Sequence, residues 1–150
     1  MAPLGDFLSN SDKDALFKSN LKKGDVFATD FIKVDDHEKY FIIVGLSPEK
    51  TYTCTVFINS RIHPSILRKP EISKLQIPIT KRKNLFLDHD SFVCCSDFTP
   101  ITFDKLQQLK KQAKCRVLGT LHQDDLVIVI NTIVNSGLLT PDELRLYFQV

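Results

Sequence analysis

The stretch LDHDSFVCCSDF, Leu87 to Phe98, carries three aspartates, a histidine and two neighbouring cysteines. It can be read as a metal site, a nucleophile beside its base, or a buried strand with polar ends. A structural zinc site wants spaced pairs such as C-x-x-C or C-x-x-H, which turn two ligands to one side. Here Cys94 and Cys95 are adjacent, so on a strand their side chains point to opposite faces. Cys54 and Cys115 are isolated, so there is no second pair, and neither a metal nor a cofactor is expected. The pattern fits strand at Leu85 to Asp88 and at Phe92 to Cys95, with the cysteines as small apolar filler. A Cys–His pair, with His89 activating Cys94 or Cys95, stays open because such partners meet in space rather than in sequence.

The residues before this stretch read as β structure. Asp25 to Phe31, Tyr40 to Leu46 and Thr51 to Ile58 are rich in β-branched and aromatic residues, which favour strands. Asp35-Asp36-His37-Glu38 between the first two reads as a turn. Arg61 to Lys74 contains Pro64 and Pro70 and reads as a loop. Leu75 to Ile79 alternates like a short edge strand, where Pro78 is tolerable.

After Pro100 the period changes. Phe103 to Leu109 reads as a short helix with Leu106 and Leu109 on one face, and Arg116 to Gly119 as a short strand. A helix follows to about Ser136, with His122 near its N-cap and Asp124 and Asp125 in its first turn, where the helix dipole favours them. Gly137 suits the position after its end, and Thr140-Pro141 the start of another helix. Strands first and helices last imply an α+β domain: a small barrel or curled sheet with helical cover.

The 150 residues suffice for one core, so residues 21–150 are expected to form a single domain, with residues 1–20 an N-terminal appendage. In that appendage Ser11 to Asp14 reads as a helix start, and Leu16 and Phe17 could dock on the body. A formal charge of +2 neither demands nor excludes nucleic acid. No apolar core marks a signal peptide and no apolar run is long enough to cross a bilayer, so a reduced, cytoplasmic, soluble chain is expected. No phosphate-loop, dinucleotide-loop or H-E-x-x-H motif occurs.

Three polar clusters remain. Asn59-Ser60-Arg61-Ile62-His63 lies at a strand end, where small barrels carry function. His63 could move a proton there while Arg61 holds an oxyanion. The plain alternative is a solvated loop. Lys81-Arg82-Lys83-Asn84, with Arg68-Lys69 upstream, could follow a phosphate backbone or be solvated surface. His37 in the acidic turn is a lesser proton-transfer candidate.

The order of these pieces resembles the MazF/PemK (Kid) toxin family of type II toxin–antitoxin systems, over roughly residues 21 to 136. Lys23-Gly24-Asp25-Val26-Phe27 is similar to the family's opening strand, and Val44-Gly45-Leu46-Ser47 to its V-L-S strand. Val56 to Ser60 stands where the family has a strand ending in hydroxyl residues. Asp90-Ser91 and Ile101 fall in the D-S to D-Q-I-R segment, and Val117 to Leu121 with Asp124-Asp125-Leu126 in the closing L-G-x-L segment and helix.

The resemblance implies an SH3-like curled β-barrel of the CcdB/MazF type with C-terminal helices packed on it. It also implies a metal-independent endoribonuclease acting on single-stranded RNA, a homodimer, and an antitoxin partner. The family's arginine–proline position falls on Tyr40-Phe41 beside Lys39, its hydroxyl position on Asn59-Ser60, and a second arginine on Thr99. Lys39 and Ser60 stand at or beside those positions, and Ser60, Arg61 and His63 could form a relocated site by their proximity in sequence. The candidates are His63, Arg61, Ser60 and Lys39 for catalysis, with Lys81, Arg82, Lys83 and Asn59 for RNA. Because lysine lacks the arginine fork, a catalytically inactive protein-binding module on the same barrel is the alternative.

Overall fold

The computed structural model describes residues 9–34 and 37–150, the side chains of residues 10 and 30–37 excepted. The strands are β1 (Asp25–Val34), β2 (His37–Leu46), β3 (Tyr52–Asn59), β4 (Gln76–Ile79), β5 (Ser91–Thr102) and β6 (Cys115–Thr120). The helices are α1 (Asn10–Asn20), α2 (Pro64–Leu67), α3 (Pro70–Ser73), α4 (Phe103–Lys111), α5 (Gln123–Val134) and α6 (Pro141–Phe148). All described strand pairs are antiparallel, in one sheet ordered β4-β5-β3-β2-β1-β6. The architecture is α+β.

Both sheet faces are covered, which is why β2 and β3 read as nearly continuous apolar runs. On one face Ile42, Val44 and Val56 pack in a cluster with Val129 and Ile133 of α5 and Phe148 of α6. On the other, Phe27, Phe41 and Ile43 form a second cluster with Phe103, Leu106 and Leu109 of α4. Phe27 and Phe41 stack with ring centres 5.3 Å apart. Phe17 of α1 meets Phe27 edge-on and lies beneath the Lys110 ammonium, 3.9 Å from its ring centre. The docking expected of Phe17 is thus present, whereas Leu16 is half exposed.

The sheet is open. A closed SH3-like barrel would pair β4 with β6, but these are its two edges. Side chains bridge the gap instead. Phe86, from the loop between β4 and β5, lies 3.3 Å from where a Cβ on Gly119 of β6 would sit. Two residues earlier, buried Asn84 donates to Asp125 of α5 at 2.9 Å and accepts from the His122 backbone N–H at 2.8 Å. These contacts tie the β4–β5 loop to the start of α5.

Several local expectations change. Leu85 to Asp88 is not strand: the Lys81–Leu87 segment turns back on itself through Asn84 N–H to Thr80 O at 3.1 Å and Leu87 N–H to Asn84 O at 3.0 Å. The strand begins instead at Ser91 and runs unbroken to Thr102. The loop from Arg61 to Lys74 contains two single-turn helices, each opened by its proline at the first position, where the missing N–H costs nothing. Asp35 and Asp36 of the expected turn lie outside the described residues, and β2 begins already at His37. The cap of α1 is Ser9, whose side chain accepts from Asp12 N–H.

Other readings stand as expected. β4 is an edge strand with Pro78 in it. His122 caps α5, and Thr140 caps α6 in a capping box with Glu143. No described helix is long and apolar enough to cross a membrane.

Candidate functional site

Antiparallel pairing decides which distant residues become neighbours. β2 begins, β3 ends and β5 begins at one end of the sheet, with Tyr40 opposite Ile58 and Asn59 opposite Phe92. The loop leaving β3 therefore meets the loop entering β5. A cleft of about 1090 Å³ opens there.

Lys39, Asn59, Ser60, Arg61 and His63 all line this cleft, so the residues singled out at the β3 end and on β2 are brought together. Lys39 is half-buried, and its ammonium donates to Asn59 Oδ1 and lies 5.4 Å from the Phe57 ring centre. Burial pulls its pKa below the usual lysine value, an effect Cys94 opposes. Arg61 and Ser60 are exposed on the strand-end loop.

His63 has a structural duty as well. It is the N-cap of α2, and its Nδ1 accepts from the Ser65 backbone N–H at 3.1 Å. An acceptor Nδ1 places the neutral ring's proton on Nε2. His63 therefore meets a ligand as a hydrogen-bond donor, which narrows the proton-transfer role expected of it.

Lys81, Arg82 and Lys83 are exposed on the β4–β5 loop and do not line the cleft. Their backbone serves the loop: Lys81 N–H donates to Asp90 Oδ1 at 2.9 Å. The side chain of His37, the lesser candidate, lies outside the described residues.

Sequence reading missed His89, Asp88 and Ser91 as cleft residues. The signal available was topological: a residue just before β5 must neighbour residues just after β3 once those strands pair antiparallel. Glu38 also lines the cleft, but its carboxylate pairs with Arg116 at 3.0 Å. Tyr40 has its pKa raised by burial first, then by Asp88 and Glu38.

The thiols are placed for packing. Cys94 and Cys95 are buried and disulfide-free, and neither lines the cleft. Burial pushes the Cys95 pKa up to about 12, which leaves almost no thiolate at neutral pH. Among the described residues no cluster of His, Cys, Asp and Glu is arranged to hold a metal ion.

Fold and site together define an α+β protein with a polar, histidine-bearing cleft at a sheet end, lined by the cations Lys39 and Arg61 and the carboxylates Glu38 and Asp88. No protein-family model matches the chain, and no curated protein matches it.

Proposed function

We propose that the cleft binds single-stranded RNA and cleaves its backbone without a metal, as the resemblance to MazF/PemK-type toxins suggests. The observation that carries this reading is the convergence of Lys39, Arg61, Ser60 and His63 in one cleft large enough for a nucleotide unit. RNA supplies its own nucleophile in the 2′-hydroxyl, and a single strand can splay a base and expose that group. Attack of O2′ on phosphorus and loss of O5′ pass through a phosphorane with added negative charge. Lys39 and Arg61 hold that charge, His63 donates a hydrogen bond to a phosphoryl oxygen through Nε2–H, and Ser60 and Asn59 position the phosphate. Lys81, Arg82 and Lys83 attract the strand from outside.

In this proposal the sheet is an opened relative of the SH3-like barrel, a second copy of the chain completes the particle, and an antitoxin segment competes with RNA for the cleft. The test is incubation of the purified chain with a mixed RNA pool in chelator. Fragments ending in 2′,3′-cyclic phosphate are expected, and intact RNA at high protein concentration contradicts the reading.

A binding module is the second reading. It is favoured by Tyr40-Phe41 and Thr99 at the family's arginine positions and by the capping duty of His63. Strand binding that persists unchanged with RNA left intact selects it.

A further inference from the structure

The cleft holds a second histidine whose ring is fixed the other way round. His89 Nδ1 lies 3.1 Å from the Asp90 carbonyl oxygen. A carbonyl only accepts, so this bond requires the proton on Nδ1 and leaves a lone pair on Nε2. The Ser91 hydroxyl, 3.4 Å from the same Nδ1, is bonded to the His89 carbonyl at 3.0 Å and so does not compete. The loop is braced by Asp90, whose side chain is held by Lys81 N–H. His63 presents the opposite character, with Nδ1 accepting and Nε2–H donating. One cleft thus offers a hydrogen-bond acceptor and a donor on two imidazoles, and Lys39, Arg61, Glu38 and Asp88 line it as well.

We infer that His89 is the cleft's acceptor for the ribose 2′-hydroxyl. This rests on the RNA reading above and assigns the residue that recognises ribose. In the bound state Nε2 accepts a hydrogen bond from O2′–H. In cleavage that proton moves to Nε2 as the O2′–P bond forms and the P–O5′ bond breaks. The departing O5′ takes a proton from water, and the imidazolium afterwards returns its own to water. DNA lacks the hydroxyl and leaves Nε2 without a donor.

The test compares wild type with His89→Ala, using a mixed-sequence RNA oligonucleotide and its 2′-deoxy counterpart. Long-range proton–nitrogen NMR spectra at alkaline pH read the tautomers of His63 and His89. Expected are opposite tautomers, tighter binding of RNA than of DNA, and loss of that preference in His89→Ala with DNA affinity unchanged. Where wild type cleaves, kcat in the variant falls about 100-fold, and KM rises by no more than the RNA-over-DNA preference that is lost. Cleavage that survives His89→Ala overturns the inference and leaves the RNA nuclease reading standing. RNA left uncut with a His89-dependent ribose preference overturns the nuclease reading and keeps the inference. Absence of any ribose preference in a non-cleaving protein, or an Nε2–H tautomer at His89, overturns it.

Discussion

Asn84 donates a 2.9 Å hydrogen bond to Asp125 across 41 positions of the chain, and both side chains are buried. The same Asn84 accepts from the His122 backbone N–H and donates to the Thr80 carbonyl at 3.1 Å. One amide thereby fastens the β4–β5 loop to the N-terminal end of α5 and shapes the loop that carries His89. Asn84→Ala leaves a buried donor and a carboxylate without their partner, at a cost of about 2 kcal/mol. Urea unfolding with a lowered midpoint and unchanged slope checks this. Asn84→Asp is expected to be worse, because it sets a carboxylate against Asp125, and Asp125→Asn in the same chain should restore much of the loss.

Gly45 is the seat of α6. A Cβ there would lie 2.6 Å from Tyr147 Cβ and 3.1 Å from Cys54 Cβ, neither of which is the end of a flexible side chain. Gly45→Ala should cost about 2 kcal/mol by overpacking. Amide hydrogen exchange should quicken in α6 while α4, on the opposite face, keeps its protection.

The first of these relationships was not legible in the sequence and the second only in part. The α6 cap at Thr140-Pro141 could be read because capping is local: residues a turn apart settle it. Strand β2 could be read because a run such as Phe41 to Val44 has few other stable fates. Asn84 looked like the tail of a basic run, since nothing nearby reveals a partner on α5. Leu85 to Asp88 looked like strand because its composition suits one, yet the local turn bonds and the bridging by Phe86 override that propensity. The cleft was half legible. Residues at the β3 end were found from one strand, while His89 became a neighbour only through the β3–β5 pairing.

The buried thiols predict alkaline sensitivity. Burial pushes Cys54 and Cys95 up to about 12, against 9.0 for a free thiol. A raised pKa means the folded state keeps a proton that the unfolded chain releases. Stability is therefore complete below pH 9 and falls as pH rises from 9 towards 12, by about 1.4 kcal/mol per pH unit for each thiol. Tyr40 and Tyr147 shift in the same direction. Urea midpoints measured across this range should fall, and the slope against pH should be shallower in Cys95→Ala. At pH 8 a thiol reagent should label both cysteines far more slowly in the folded protein than in urea.

Lys39 should matter more than the outer basic loop. Lys39→Gln removes a half-buried cation from the cleft and is expected to weaken binding of a 2′-deoxy oligonucleotide about tenfold, with the salt slope reduced by about one. Replacing Lys81, Arg82 and Lys83 together with alanine should slow association and leave the cleavage step at saturating RNA unchanged. Fluorescence anisotropy across a salt series separates these effects. Equal losses from both variants would mean that binding does not centre on the cleft.

The most direct test is single-turnover cleavage of a mixed RNA pool by the purified chain in excess chelator, compared with Arg61→Ala. The account predicts fragments bearing 2′,3′-cyclic phosphate from the parent chain, and a rate lowered about 100-fold by Arg61→Ala. RNA that stays intact with the parent chain, or fragments produced equally by Arg61→Ala, would contradict it.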